Sequence, residues 1–253
     1  MMNWHSYNES ANFSFMRLEP RQEAILKAIV DEYIRSAQPV GSRLIAEISG
    51  SQVSPATIRG EMAALEDAGF IVAPHTSAGR IPTEKAYVYY LQNFVSAEPG
   101  HAASDQLRKS VADGQSTRNG ESTDMRDLAR TLMELSGEMA IVAVDPRNSY
   151  YSGVANLVGK PDFSDMAVVR ELSKMLDRFD DVMGEVFDRV ANEPQVMIGG
   201  DSPFGKDMSA IMVKCRLPNG QIGILGLIGP MRMDYGRNLG LVTDIQEILD
   251  DNV

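Results

Sequence analysis

The segment VSPATIRGEMAALEDAGFI, Val53 to Ile71, is preceded by PVGSRLIAE and followed by PHTSAGRI, and together these runs concentrate residues able to hold a polyanion. Ser54, Thr57 and the amides of a helix opening at Pro55 can bind phosphate oxygens, because first-turn amides lack intrahelical partners and lie at the positive end of the helix dipole. Arg59 can reach a guanine edge or a phosphate, and Ala56 and Gly60 beside it are small enough to let the helix sit close to base edges. Arg43, at the start of the preceding helix, is placed to pin the adjoining backbone. His75, Thr76, Ser77 and Arg80 supply donors on a hairpin tip that can enter a minor groove or bridge phosphates, and Lys85 adds a cation just after it. The chemistry is recognition of double-stranded DNA. Modules of this shape also mediate protein contacts, and Ser54 serves equally well as a plain N-cap.

The elements that must position these residues are legible from periodicity. Ile25, Ile29 and Tyr33, with Leu26, Val30 and Ile34 beside them, form the stripe of a helix over residues 21 to 36 that ends before Pro39. Pro39-Val40-Gly41 is a turn, and Ser42 is expected to cap a short second helix running to Ile48. A third helix opens at Ser54-Pro55, buries Ile58, Met62 and Leu65, and closes at Gly69. Residues 70 to 73 read as a strand and 74 to 81 as a hairpin tip and return strand, which makes a wing. A helix starting at Pro82-Thr83 and running to Phe94 completes the domain. The layout is that of a winged helix-turn-helix.

Charge is shared unevenly along the 253 residues. The net charge is -11, but residues 17 to 95 carry eight lysines and arginines against nine carboxylates, so the acid lies mostly beyond them. A nearly neutral domain still binds DNA when its cations share a face, since phosphate contacts respond to local potential. Residues 1 to 16 lack the basic and apolar regions of a signal peptide and are expected to be a flexible tail. No apolar run approaches the roughly 18 residues of a membrane span, so a cytoplasmic protein free of membrane is expected.

Residues 96 to 124, rich in Ala, Ser, Gly, Asp and Gln, read as a linker. Residues 125 to 253 alternate a helix (125 to 138), a strand (139 to 144), a second strand or strand-turn (150 to 158), one long amphipathic helix from Asp165 to Val190, further strands and a helix from about Leu239 to Leu249. This order predicts an α+β domain with a mainly antiparallel sheet and helices on one face. Pro218-Asn219-Gly220 is a tight turn between two of its strands.

Other groups fit structural roles better than catalytic ones. Cys215, the single cysteine, shares a strand face with Ile211, Val213 and Leu217 and reads as a core thiol. The glycines of Gly220 to Gly229 lack the lysine of a phosphate loop and suit sheet packing and turns. Arg232, Asp234 and Tyr235 form either a polar site or a helix-entry network. Asp180-Asp181 and Asp250-Asp251 read as solvated surface. No triad, carboxylate pair or metal-ligand set stands out, so neither an enzyme nor a cofactor is expected.

Residues 21 to 94, with PVGSR, SPATIR, EMAALEDAGF and PHTSAGRIPT as the diagnostic runs, resemble the heat-inducible transcription repressor HrcA family. The resemblance resumes at YYSGVANLVGKPDFSD (Tyr150 to Asp165) and GQIGILGLIGPMRMDYGR (Gly220 to Arg237), which look like the family's GAF-like α/β regulatory domain. It implies a homodimeric repressor that binds an inverted-repeat operator ahead of chaperone genes and depends on the chaperonin GroEL to stay active. The chain departs from the family pattern in three places. Gly60 stands where members usually carry asparagine, and Ala86-Tyr87-Val88 replaces Gly-Tyr-Arg. Asp145 to Asn148 joins the first strand almost directly to the Tyr150 block, where the family carries an inserted dimerisation region. The chain therefore resembles a shortened member, whose dimerisation must use the linker or the Asp165 to Val190 helix. Two other functions remain open. One is a one-component regulator sensing a small molecule between sheet and helix. The other is a protein-interaction adaptor that has lost operator binding, which weakened cationic potential across Arg43, Arg59, Arg80 and Lys85 would favour.

Overall fold

A computed structural model describes residues 17–49, 54–75, 78–97 and 123–251. The expected tail at 1 to 16 lies outside the described residues, as does nearly all of the expected linker. The chain divides into two compact units, Met1–Val95 and Ser96–Val253.

In the first unit, α1 (Pro20–Ser36) starts with proline at its first turn, where the missing amide hydrogen is harmless, and buries Ile25, Leu26, Ile29 and Val30. It ends on Ala37 in the left-handed region at φ 54°, whose amide donates to the Tyr33 carbonyl. Next, α2 (Ser42–Ile48) is entered from Gly41, an extended residue, so Ser42 is the first helical residue and not the cap. Helix α3 (Pro55–Asp67) is capped by Ser54 and buries Ile58, Met62 and Leu65 as its spacing demands. The wing strands β1 (Ile71–Val72) and β2 (Ile81–Pro82) pair antiparallel, and α4 (Glu84–Phe94) follows from a Thr83 cap. Helices α1 and α4 are tied by two phenols: Tyr89 donates to Glu23 (3.0 Å) and Tyr90 to Asp31 (2.6 Å). Partial burial, followed by the Glu23 carboxylate, pushes the Tyr89 phenol above its ordinary pKa.

The second unit is built on five antiparallel strands in the order β4-β3-β7-β6-β5, namely β3 (Met139–Asp145), β4 (Asn148–Ser152), β5 (Gln195–Ile198), β6 (Met208–Arg216) and β7 (Ile222–Pro230). One face packs under α5 (Thr123–Ser136) and the terminal α9 (Tyr235–Asp251). The opposite face, bearing Met139, Ile141, Met212, Ile224 and Ile228, packs against Leu172, Met175, Phe179, Met183 and Val186. Helices therefore cover both faces, not the one face expected. The residues of β3 and β7 are buried almost without interruption, as a doubly covered sheet requires. Gly226 is part of this closeness, since a side chain there would strike Met212 and the Ile211 carbonyl of the neighbouring strand.

Three further expectations are corrected. The segment read as strand or strand-turn to residue 158 leaves the sheet at Gly153 and forms a one-turn helix, α6 (Val154–Val158). The expected long helix is two, α7 (Met166–Asp177) and α8 (Phe179–Arg189), parted at Arg178 (φ -116°, ψ 27°). A straight helix over that span would run about 37 Å and lift one end from a twisted sheet. The break lets Phe179, Val182, Met183 and Val186 stay buried, and Asp180 and Asp181 fall in the new first turn, where the helix dipole favours them. The terminal helix begins at Tyr235 and not at Leu239, because the Asp234 carboxylate accepts from the Arg237 amide at 3.2 Å and caps it there.

Candidate nucleic-acid interface

The N-terminus of α3 is built by its own first residues. Ser54 is extended at φ -66° and ψ 148°, its hydroxyl accepts from the Thr57 amide at 3.2 Å, and the two hydroxyls lie 3.0 Å apart. Pro55 donates nothing, so the turn starts without an orphaned amide at that position. With Ile58, Met62 and Leu65 turned into the core, Ala56, Thr57, Arg59, Gly60 and Ala63 are exposed. A side chain built at Gly60 would meet nothing within 4 Å. The result is a low ridge of small residues with one arginine on it, at the positive end of a 13-residue helix.

The candidate cations divide into two groups. Arg43, in the first turn of α2, and Arg59 are exposed and make no hydrogen bond or ion pair with any described residue. Arg80 and Lys85 are engaged. The Arg80 guanidinium reaches Glu66 Oε2 through Nε at 2.9 Å and Nη2 at 2.8 Å. Lys85 Nζ donates to the Ala68 carbonyl just past the end of α3 (2.7 Å) and stands 4.4 Å from the centre of the Phe70 ring. On the wing, His75 is exposed and its carbonyl accepts from the Ala78 amide. Thr76 and Ser77 lie outside the described residues. Elsewhere in the unit Arg21 pairs with Glu61, Lys27 with Asp31 and Arg35 with Glu32, leaving Arg43 and Arg59 as the open cations of α2 and α3 among the described residues.

The second unit contains a polar constellation that spacing alone did not reveal. Glu138, 5% exposed, is paired with Lys160, and beside them Arg232 is paired with Asp162. Burial raises the Glu138 pKa above the usual carboxylate range, while Lys160 and then Arg232 pull it back down. Tyr235 is fully buried, donates to the Met231 carbonyl at 2.5 Å and lies 3.1 Å from Ser209 Oγ; burial drives its phenol far above the ordinary range. Of the three residues singled out at this helix entry, Asp234 and Tyr235 serve the helix and Arg232 reaches away to Asp162. The available signal for Lys160 and Asp162 was their place in the Tyr150 to Asp165 run. Cys215 is buried and its thiol is pushed up to about 12, chiefly by desolvation. Among the described residues no group of three or more His, Cys, Asp or Glu is placed to hold a metal, and no helix is long and apolar enough to cross a membrane.

Comparison with known proteins bears on both units. Residues 17–93 match the family described as the winged helix-turn-helix transcription repressor, HrcA DNA-binding, and residues 83–239 match the HrcA protein C terminal domain. The chain is similar to the heat-inducible transcription repressor HrcA of Halalkalibacterium halodurans, with 26% identity covering 92% of this chain and 98% of the relative. That alignment spans 338 positions, more than this chain contains, so the relative carries residues without a counterpart here. The HrcA of Nocardioides sp. is 39% identical over 128 residues, 49% of this chain and 36% of the relative. A crystal structure described as that of a hypothetical protein superposes with a TM-score of 0.67 at 18% identity, covering 92% of this chain and 97% of the other, which establishes a shared fold.

Proposed function

Because the chain belongs to the HrcA family of heat-inducible transcription repressors, we propose that it represses heat-shock genes by binding an operator through α3 and the wing. The observation that carries this reading is the exposed N-terminal face of α3, where Arg59 stands open among Ala56, Gly60 and Ala63 at the positive helix end. Residues 17 to 95 form the DNA-binding domain and residues 125 to 253 the regulatory one. Thr57, Ser54 and the first-turn amides take a phosphate, Arg43 takes the adjoining backbone, and Arg59 takes a base edge or phosphate. His75, Thr76 and Ser77 meet the minor groove or its phosphates.

Family membership supports three finer statements. The operator is an inverted repeat ahead of chaperone genes, the repressor binds it as a homodimer, and GroEL maintains the active state. A helix-turn-helix dimer presents its two reading helices about 34 Å apart, so the altered length of this chain bears directly on half-site spacing.

The test is an anisotropy titration of the full chain against an inverted-repeat duplex of the chaperone-operator type and a scrambled duplex, each at two salt concentrations. Sequence-dependent binding with a clear salt slope is expected. Arg59→Ala should weaken operator binding by about 1–3 kcal/mol or relax preference at one position. Equal, weak binding to both duplexes would reject the proposal and favour the adaptor.

A further inference from the structure

The wing is too short to hold itself in place. Its strands contribute two residues each, and a two-stranded ribbon of that length has no independent stability in water. Thr83 anchors the far end of its return arm, its hydroxyl donating to the Gly69 carbonyl at 2.8 Å and its amide to the Phe70 carbonyl at 3.0 Å, and three ties among the described residues hold the end nearer the tip, at Gly79 and Arg80. The Arg80 amide donates to the Val40 carbonyl and the Val40 amide to the Arg80 carbonyl, both at 2.8 Å, which adds a bridge to the turn before α2. Gly79 lies so close to that turn that a side chain on it would sit 2.6 Å from the Val40 carbonyl carbon and oxygen. The Arg80 guanidinium then reaches Glu66, on the last turns of α3, with side-chain exposures of 27% and 31%. A longer contact of 3.4 Å runs to the Ala78 carbonyl, toward the tip. One residue thus joins the wing both to the turn that leads into α2 and to α3.

Resting on the reading of this unit as an operator binder, we propose that Glu66 and Arg80 are a positioning pair for recognition. Arg80 acts by fixing the wing on α3, not by contacting phosphate. A guanidinium committed to a carboxylate forms a neutral pair, which adds little to counterion release. Exchanging Glu66 for a DNA phosphate would leave the carboxylate beside the polyanion, where it repels. The two roles predict opposite signs for Glu66→Gln. If Arg80 were a phosphate contact restrained by Glu66, the variant would free a cation and tighten binding; as a lock, the variant loosens the wing and weakens it.

The experiment is the same titration on the full chain with Glu66→Gln, Arg80→Gln, the double variant, and Arg59→Gln as reference. A partly exposed pair contributes little to global stability, so melting temperatures should match wild type. Each single variant should weaken specific binding by about three- to tenfold, the scale of ordering one short segment, with an unchanged slope of log K against log salt. The double variant should be no worse than either single one, because both remove one interaction. Arg59→Gln should lower the slope by about one where that arginine takes a phosphate, and relax preference at one position where it takes a base edge. The proposal is overturned by tighter binding of Glu66→Gln, by unchanged binding of Glu66→Gln, or by a slope reduced by about one in Arg80→Gln. Failure of wild type itself to discriminate the duplexes overturns the underlying reading as well, and is recognised before any variant is compared.

Discussion

Arg232 Nε lies 2.7 and 2.9 Å from the two carboxylate oxygens of Asp162, 70 residues away in sequence, and so joins the two C-terminal runs that carry the family resemblance. Lys160 and Glu138 form the neighbouring pair, which leaves one nearly fully buried carboxylate dependent on one lysine.

Removing that lysine should be costly in a pH-dependent way. Lys160→Met leaves the Glu138 charge buried without its main partner and should destabilise the chain by about 3 kcal/mol near pH 7.5. The Glu138 pKa is raised in the folded state, so the folded chain takes up this proton more readily than the unfolded chain. Its contribution to stability therefore improves as pH falls through the raised value and is lost as pH rises. Urea unfolding at pH 7.5 and pH 5 should show a smaller deficit at the lower pH, and Glu138→Gln in the same chain should recover most of it. A deficit equal at both pH values would sink this account.

Gly60 occupies open space on the reading face, so Gly60→Asn should fold at least as well as wild type, by a few tenths of a kcal/mol from helix propensity. The added amide can pair with adenine in the major groove, and discrimination between duplexes differing at one A·T pair should rise. Unchanged discrimination would place position 60 away from base edges.

Gly79→Ala puts a methyl against the backbone of Pro39 and Val40, which has no flexible end to move aside. Urea unfolding should show a loss of about 1–3 kcal/mol. Stability within about 0.5 kcal/mol of wild type would mean that the turn yields.

Burial keeps the Cys215 thiol protonated, with its pKa pushed up to about 12. At pH 8 an alkylating reagent should label the folded chain about a thousandfold more slowly than it labels the chain in urea. Equal rates would show that the strand end bearing Cys215 opens readily.

The first unit was largely legible from the residues because its signals are local. The Ile25, Ile29 and Ile58, Met62, Leu65 stripes report burial at helical period, and Ser54-Pro55 marks a helix start through amides within three residues of the cap. The break at Arg178 was not legible, because the apolar stripe keeps its period across it and the reason for breaking is the twist of a sheet elsewhere in the chain. Coverage of both sheet faces did leave a signal, the near-continuous apolar runs of β3 and β7, but such runs suit a buried helix or a buried strand until pairing is known.

What the residues determined by themselves is the winged helix-turn-helix layout, the exposed Arg59 on a face of small side chains, and the family, since each rests on short spacings or contiguous runs. Tertiary structure alone decided which cations stay open. Arg43, Arg59, Arg80 and Lys85 are equivalent as letters, yet Glu66 and the Ala68 carbonyl stand within reach of two of them and of neither other. The same holds for Glu138 with Lys160 and Asp162 with Arg232, because these pairs, unlike the one-turn helical pairs Lys27–Asp31 and Arg35–Glu32, depend on distance through the fold and on desolvation, which no local spacing encodes.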